Sequence, residues 1–226
     1  MSFEIKDLYM KKLLFISLAV FAFSACIPSY VATGVIITEE VSYQGTAEGL
    51  HVDDGFDVII DESVPEGKII VTTHKDIMKQ LDIYVEDNVL YISLKGVRKC
   101  VTKQLEARLS AKGFDNFVAS GGSDIEGAKV DTDSDVAVVA SAGSGVEIQG
   151  RCKALALVVS GGSEADLEEL DAEVVAAVVS GGSEATLSAT KALELTASGG
   201  SEVGYRGTPA ILEVNTSGGS EVSQLE

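Results

Sequence analysis

The chain has 226 residues and a net charge of -18, from 17 lysines and arginines against 35 aspartates and glutamates. This charge argues against nucleic acid as a partner, because clustered cations must meet a phosphate backbone, and it disfavours docking on anionic lipid headgroups. The residues are 46% hydrophobic but only 6% aromatic, with no tryptophan, which excludes disorder and favours thin β layers built from small aliphatic side chains.

Residues 1–25 are predicted to be the signal peptide of a bacterial lipoprotein. Two lysines precede an apolar run at 13–23, which is shorter than the ~20 residues that a membrane-spanning helix needs. A serine and an alanine stand directly before Cys26, a pattern that resembles the lipobox, in which this cysteine carries the lipid. The alternative is an ordinary signal peptide cut nearby. Residues 1–9 are interpreted as a start-site artefact, because the second methionine is the more natural start, and residues 26–34 as a linker.

Residues 35–110 carry alternating runs that predict β-strands at 56–60, 68–72 and 89–93. A short helical turn is predicted within 75–81. We interpret this part of the chain as an N-terminal β segment that leads into the repeats that follow and covers their first coil. Without such a cover, an open coil would present unpaired backbone groups to solvent.

A tetrapeptide repeat organises residues 111–226. Ser-Gly-Gly-Ser occurs five times, a Ser-Ala-Gly-Ser variant fills the one gap, and successive copies start 18 to 21 residues apart. The copies lie at 120–123, 141–144, 160–163, 180–183, 198–201 and 217–220. Fixed self-similarity at this period is typical of a solenoid.

Apolar residues at every second position indicate that each repeat is built from strands. Aligned on the tetrapeptide, the alternate residues of 136–140 share columns with those of 155–159 and 175–179, and such columns would stack inside a coil. A second short alternation follows each tetrapeptide, whose two glycines allow the positive φ of a sharp corner. The sequence therefore predicts an all-β fold, a β-solenoid with coils of ~20 residues.

One acidic residue directly follows most of the corners. The five residues of this kind are Asp124, Glu164, Glu184, Glu202 and Glu221. One carboxylate per coil would form a ladder with ~5 Å between steps. Such a ladder suits either divalent cations, which prefer oxygen ligands, or a solvated acidic edge that discourages aggregation. We favour the second interpretation.

The cysteines and histidines give no support for a metal site or a cofactor. There is no Cys-x-x-Cys or Cys/His cluster, so a structural zinc site is not expected. Cys100 and Cys152 could form a disulfide in an oxidising compartment, but Cys152 lies in a predicted strand, where cysteine is commonly a small buried hydrophobe. We therefore expect that the two are not bonded.

The strands Phe56-Asp57-Val58, Asp82-Ile83-Tyr84-Val85 and Leu90-Tyr91-Ile92, followed by repeated Ser-Gly-Gly-Ser coils, carry a family resemblance. Over residues 35–226 the sequence resembles the bacterial family described as putative auto-transporter adhesin, head GIN domain, common among envelope lipoproteins of Bacteroidetes. The resemblance implies a right-handed β-helix and a role at the cell surface or envelope. It supplies no catalytic residues.

The residues argue against an enzyme. The repeated serines lack an evident base, because His51 and His74 lie outside the repeats, and coils this short leave little loop from which to build a cleft. We expect a non-catalytic, lipid-anchored outer-membrane protein, periplasmic or surface-exposed, whose β-helix binds a glycan or a protein. The alternative is a structural scaffold that forms homo-oligomers through its C-terminal coil; a polysaccharide-active β-helix enzyme is less favoured.

Overall fold

The computed structural model describes residues 30–96, 100–101 and 104–225. The predicted signal peptide and Cys26 lie outside these described residues. Within them, no helix is long and apolar enough to cross a membrane. In these described ranges the secondary structure consists of β-strands and one turn of 3-10 helix, Met78–Gln80.

In chain order the strands are β1 (Tyr30–Val31), β2 (Ile36–Ser42), β3 (Gly49–Val52), β4 (Asp57–Ile60), β5 (Lys68–His74), β6 (Leu81–Glu86), β7 (Val89–Leu94), β8 (Cys100–Val101), β9 (Leu105–Leu109), β10 (Asn116–Ala119), β11 (Asp124–Asp131), β12 (Asp135–Ser141), β13 (Gly145–Ser160), β14 (Glu164–Ser180), β15 (Glu184–Ser198), β16 (Glu202–Arg206), β17 (Ile211–Thr216) and β18 (Glu221–Gln224). The prediction of an all-β solenoid is confirmed, because these strands stack in register, coil upon coil.

The coils have two long parallel faces that meet at the tetrapeptide corners. Face A is formed by the terminal strand β7 and by the strands that enter the corners: β3, β10, β12, the C-terminal halves of β13 to β15, and β17. Face B is formed by the terminal strand β9 and by the strands that leave the corners: β4, β11, the N-terminal halves of β13 to β15, β16 and β18. The aligned apolar columns lie between the two faces, where Leu155, Leu157 and Val159 are at most 1% exposed.

The longest strands bend from face B of one coil into face A of the next. At the bend of β13, Gly150 has φ of +121°, and a Cβ added there would lie 1.9 Å from the carbonyl oxygen of Val130 in the preceding coil. Only glycine fits, because any side chain would collide with that backbone.

Part of the N-terminal β segment lies within the solenoid itself. Strand β3 pairs in parallel with β10 on face A, and β4 pairs in parallel with β11 on face B. Residues 53–56 therefore occupy the position of a tetrapeptide corner, with positive φ at Asp54 and Gly55. We expected 35–110 to cover the first coil; the structure shows that it also continues the stack. The repeat is hidden in the sequence because Asp-Asp-Gly-Phe replaces Ser-Gly-Gly-Ser.

The two ends of the stack differ. At the N-terminal end, antiparallel β6 covers the edge of face A, and antiparallel β5 and β2 cover the edge of face B. At the other end, every residue of β17 is exposed, with Ile211 at 59%, Leu212 at 50% and Val214 at 37%. Among the described residues, the last coil thus carries the least protected apolar side chains of the stack.

Cys152 is a free and buried cysteine on the interior of the solenoid. Burial raises the pKa of its thiol to about 12, because removal from water penalises the charged thiolate. The side chain of Cys100 lies outside the described residues. Cys152 therefore behaves as the small core residue that the sequence indicated.

Candidate functional site: the corners and the acidic column of face B

The fourth residue of every tetrapeptide corner except the last is a buried serine with a structural role. The Ser163 hydroxyl donates to the carbonyl oxygen of Ser160 at 2.8 Å. It also accepts hydrogen bonds from the backbone N–H groups of Gly143 and Ser144, one coil earlier, at 3.0 and 3.2 Å. One hydroxyl thus closes its own corner and ties it to the corner of the preceding coil.

This arrangement recurs along the stack and forms a serine ladder. Ser123 accepts from Gly55 and Phe56 of the hidden corner, which identifies 53–56 as the same structural unit. The buried members, each at most 2% exposed, are Ser123, Ser144, Ser163, Ser183 and Ser201. Their hydroxyls are used in backbone hydrogen bonds, so the serine repeat is explained by the geometry of the corner.

The residues after the corners form a continuous column on face B. Successive register pairs join Asp124 to Gly145, Gly145 to Glu164, and Glu164 to Glu184. The column continues through Glu202 and Glu221. The structure thus brings all five predicted acidic residues into one line, in which glycine occupies one step.

Two further carboxylates extend this column toward the N-terminal end. Asp57 pairs with Asp124, and Glu106 pairs with Asp57. We did not predict either residue as part of the site. Asp57 could have been found from the sequence, because it directly follows the corner-like Asp-Asp-Gly-Phe, whereas Glu106 follows no recognisable corner. The acidic column is defined here as Glu106, Asp57, Asp124, Glu164, Glu184, Glu202 and Glu221.

The carboxylates of the column affect the pKa of Asp57. Desolvation raises the pKa of Asp57 above its ordinary value, and the nearby carboxylates of Asp124, Glu126 and Glu106 raise it further. The step without a carboxylate is occupied by a neighbour: Asp124 Oδ1 accepts a 2.7 Å hydrogen bond from the N–H of Gly145. A side chain at Gly145 would collide with this carboxylate, since its Cβ would lie 2.7 Å from the same oxygen.

Beside this step the surface forms a shallow acidic groove. Its volume is about 270 Å³, and its acidic lining residues are Asp124, Glu126, Glu147, Glu164 and Asp166. Within the described part of the chain, no three histidine, cysteine or acidic side chains converge closely enough to hold a metal ion. The groove is therefore a row of separate, solvent-facing carboxylates, an arrangement that suits repeated contacts with positively charged groups.

The fold and the column together define an acidic, repeat-built β-solenoid, a class of rod-like proteins that present one chemical pattern along one face. The chain belongs to the family described as putative auto-transporter adhesin, head GIN domain, whose model matches residues 48–209. The resemblance seen in the sequence is thus confirmed. The description of the family is that of a putative adhesin and names no enzymatic activity.

Solved structures share this fold. A putative adhesin from Bacteroides fragilis has a TM-score of 0.68 at 17% identity, over 86% of this chain and 99% of its own. A putative adhesin from Parabacteroides merdae has a TM-score of 0.56 at 17% identity, over 88% and 99%. One from Parabacteroides distasonis has a TM-score of 0.54 at 17% identity, over 88% and 100%. None of the curated proteins compared with the chain matches it.

Proposed function

We propose that this chain is a non-catalytic, lipid-anchored protein of the outer membrane that binds a positively charged protein segment through face B. The observation that carries the proposal is the in-register acidic column, which places one carboxylate in each coil except at the Gly145 step. The membership in an adhesin family supports a binding role. The lipid on Cys26 would tether the rod a few residues before β1.

Binding would be multivalent. The steps of the column are ~4.8 Å apart, so an extended segment rich in lysine or arginine could meet several carboxylates in succession. Each exposed ion pair contributes only about 0–1 kcal/mol, but linked contacts add because the later ones form within one complex. Glu164, Glu184 and Glu202 are exposed, which leaves them available for such contacts.

A protein ligand is favoured over a glycan by the lack of aromatic rings on this face. Carbohydrate sites commonly stack sugars against exposed rings. Tyr205 is the aromatic residue of the later coils, and it is only 9% exposed and packs in the core. Within the described residues, face B therefore offers charge rather than a stacking surface.

The binding test compares two triple variants of the full chain. Glu164→Gln, Glu184→Gln and Glu202→Gln remove three steps of the column. Glu86→Gln, Glu194→Gln and Glu213→Gln remove the same charge from exposed positions of face A and of β6 at its edge. We expect the first variant to bind a lysine-rich peptide at least ~10-fold more weakly at low salt, with the control unchanged. Equal loss in both variants would show only a net-charge effect and would refute a site on face B.

Anchoring and location have a separate test. A Cys26→Ser variant should no longer incorporate a labelled fatty acid and should leave the membrane fraction. Cys152→Ser should still incorporate the fatty acid and stay in the membrane fraction. Protease treatment of intact cells, with a periplasmic protein as control, then distinguishes the two faces of the outer membrane. Digestion with the control protected indicates the cell surface; continued labelling of Cys26→Ser contradicts the anchor.

A second candidate function is a scaffold that self-associates end to end through its last coil. The observation that favours it is the exposure of β17, whose inward-facing Leu212 and Val214 are in register with buried Leu193 and Leu195 of the coil below. Light scattering over a concentration series tests it. Leu212→Lys should abolish association, while Asn215→Lys, an exposed position on the same strand, should not. If the wild-type chain keeps the molecular mass of a monomer at every concentration, the scaffold is ruled out.

A further inference from the structure

Three aromatic rings form a ladder on the outer surface of face A, at its N-terminal end. Tyr84 of β6, Tyr91 of β7 and His51 of β3 occupy one outward column, since the register pairs Tyr84 with Tyr91 and Tyr91 with His51. The two tyrosine rings are stacked, with centroids 4.9 Å apart and 8° between their planes. The His51 ring follows, with its centroid 5.1 Å from that of Tyr91. The next step of the column is Val118, so the ladder ends there.

The ladder is open at its other end. β6 is the last strand of the sheet on this side, and no described strand pairs with its outer edge. Tyr91 covers one face of the Tyr84 ring, yet Tyr84 is still 40% exposed. Because one face is covered, the exposed area belongs to the other face and to the edge of the ring. Tyr84 thus differs from the middle of face A, where Ala137 and Val139 are at most 5% exposed.

A hydrogen-bond donor and an acceptor stand beside this ring. Asp82 lies two residues before Tyr84 on the same outward side of β6 and pairs in register with Ser93 of β7. Lys95 Nζ lies 3.4 Å from Asp82 Oδ1, and the two side chains are 66% and 33% exposed. The open ring is therefore bordered by an ammonium group, which only donates hydrogen bonds, and by a carboxylate, which only accepts them.

A ring platform with a donor and an acceptor at its border matches the chemistry of a sugar. A pyranose has a face of C–H groups that packs on an aromatic ring, and a rim of hydroxyls, each of which both donates and accepts. One hydroxyl can donate to Asp82 while its neighbour accepts from Lys95. The opposite charges of this pair largely cancel, so the border favours an uncharged ligand over an ionic one.

We propose that Tyr84, Asp82 and Lys95 form a binding site for a neutral sugar ring of a glycan. Tyr91 and His51 support the site, because they hold the Tyr84 ring upright on the sheet. The inference goes beyond the proposed function, since the site lies on face A and uses no residue of the acidic column. Loss of either site is expected to leave the other unchanged.

The surroundings of Tyr84 disfavour charged occupants. Desolvation raises the pKa of the Tyr84 hydroxyl most, and Tyr91 raises it next. The carboxylates of Glu86 and Asp82 raise it further, and the same carboxylates repel the anionic group of a uronic acid. A cationic side chain is the competing occupant, since ring faces attract cations. The ammonium of Lys95 stands at the same border and repels it.

The experiment measures binding of the full chain to immobilised hexasaccharides of glucose, mannose, galactose and N-acetylglucosamine. A galacturonate hexasaccharide and hexalysine are the charged comparisons. The wild type should bind at least one of the four neutral sugars with a Kd at or below ~1 mM, the weak end of specific binding. An increase of NaCl from ~20 to ~300 mM should leave this Kd unchanged, because salt does not screen contacts to an uncharged ligand.

Two pairs of variants locate the site. Tyr84→Val removes the ring but keeps a good strand former, and should weaken sugar binding at least ~10-fold with an unchanged circular-dichroism spectrum. Tyr84→Phe retains the ring and should stay within ~3-fold of the wild type. Lys95→Met removes the donor and should weaken binding at least ~5-fold. Its control is Lys191→Met, which removes an equally exposed lysine, paired with Glu173 at 2.7 Å, and should change nothing.

Three results would overturn the proposal: a wild type that binds none of the four neutral sugars, sugar binding that survives Tyr84→Val, or hexalysine binding that is lost in Tyr84→Val. The triple variant of the acidic column should keep its affinity for the sugar. A wild type that binds hexalysine through face B but no neutral sugar overturns this site alone. Sugar binding that depends on Tyr84, without any binding of hexalysine, overturns the ligand proposed for face B alone.

Discussion

Replacing the buried serine of one corner should destabilise the solenoid far more than replacing the outer serine of the same corner. In Ser163→Ala, the backbone N–H of Ser144, in a residue 2% exposed, loses an acceptor, at a cost of ~1–3 kcal/mol for a buried unpaired group. The bonds to Gly143 and Ser160 are lost as well, and each contributes ~0.5–1.5 kcal/mol net. We expect a total loss of about 3 kcal/mol.

The control is Ser160→Ala, which changes the first serine of the same tetrapeptide. Its side chain is half-buried and faces outward, so a change within about 0.5 kcal/mol is expected. Urea denaturation of the full chain, followed by circular dichroism near 218 nm, measures both variants against the wild type. A loss of about 3 kcal/mol corresponds to a decrease of ~6–12 °C in Tm for a chain of this size.

The comparison also tests the assumption that the chain unfolds as one unit. Repeat proteins can lose neighbouring coils separately, and a lowered slope of the denaturation curve would reveal this. If Ser163→Ala and Ser160→Ala destabilise equally, the hydroxyl ladder does not carry the stability assigned to it, and the reasoning about the corners is wrong.

Three further predictions concern the backbone, the carboxylates and the thiol. Gly150→Ala should prevent folding or cost more than ~3 kcal/mol, because its Cβ would lie 1.9 Å from a carbonyl oxygen of the preceding coil. Gly162→Ala has open space around its Cβ and should cost only the ~1–2 kcal/mol of a left-handed conformation. Thermal melts compare the two variants, and equal losses of stability contradict the prediction. Desolvation and neighbouring carboxylates raise the pKa of Asp57, so the ionised side chain opposes folding at a pH above that pKa. Asp57→Asn should therefore raise Tm at pH 7, but it should not change Tm at a pH below the unfolded-state pKa near 3.9. Hydrogen bonds from Ser63 lower the pKa of Asp61, so Asp61→Asn should lower Tm at pH 7. This effect should disappear as the pH falls through the folded-state pKa of Asp61. If Asp57→Asn and Asp61→Asn shift Tm in the same direction at pH 7, the opposite pKa shifts assigned to the two carboxyl groups are wrong. Cys152, whose pKa burial raises to about 12, should not react with a disulfide reagent at pH 8 until the chain unfolds, so that native wild type and Cys152→Ala give the same thiol titre.

The sequence determined the solenoid because its constraints are local and repeated. Each coil is specified within ~20 residues. A glycine pair that must adopt positive φ and the serine that follows it form the corner, and apolar residues at alternate positions form the core. The same regularity predicted that Asp124, Glu164, Glu184, Glu202 and Glu221 share a column, since one strand register carries every step.

Only the tertiary structure showed where the chain leaves and rejoins this stack. The coil of β3 and β4 is separated in sequence from the coil of β10 and β11 by the strands β5 to β9, of which β7 and β9 belong to the two faces, and its Asp-Asp-Gly-Phe corner shares only a glycine with the repeat. Parallel pairing of β3 with β10 and of β4 with β11 joins segments far apart in sequence. For that reason Glu106 became visible as a member of the acidic column only in three dimensions, whereas Asp57 could have been found from the corner-like Asp-Asp-Gly-Phe before it.

The outward-facing residues in the middle of face A lie between these two cases. They are readable in the sequence as uninterrupted apolar runs, such as 136–140 and 154–159, which are typical of strands covered on both sides. Alternation alone assigns one set of these residues to the core and leaves the other set without a location. The structure shows where each set lies, because the stacking of the coils determines which alternate positions of a strand point inward. The other positions then form an outer surface.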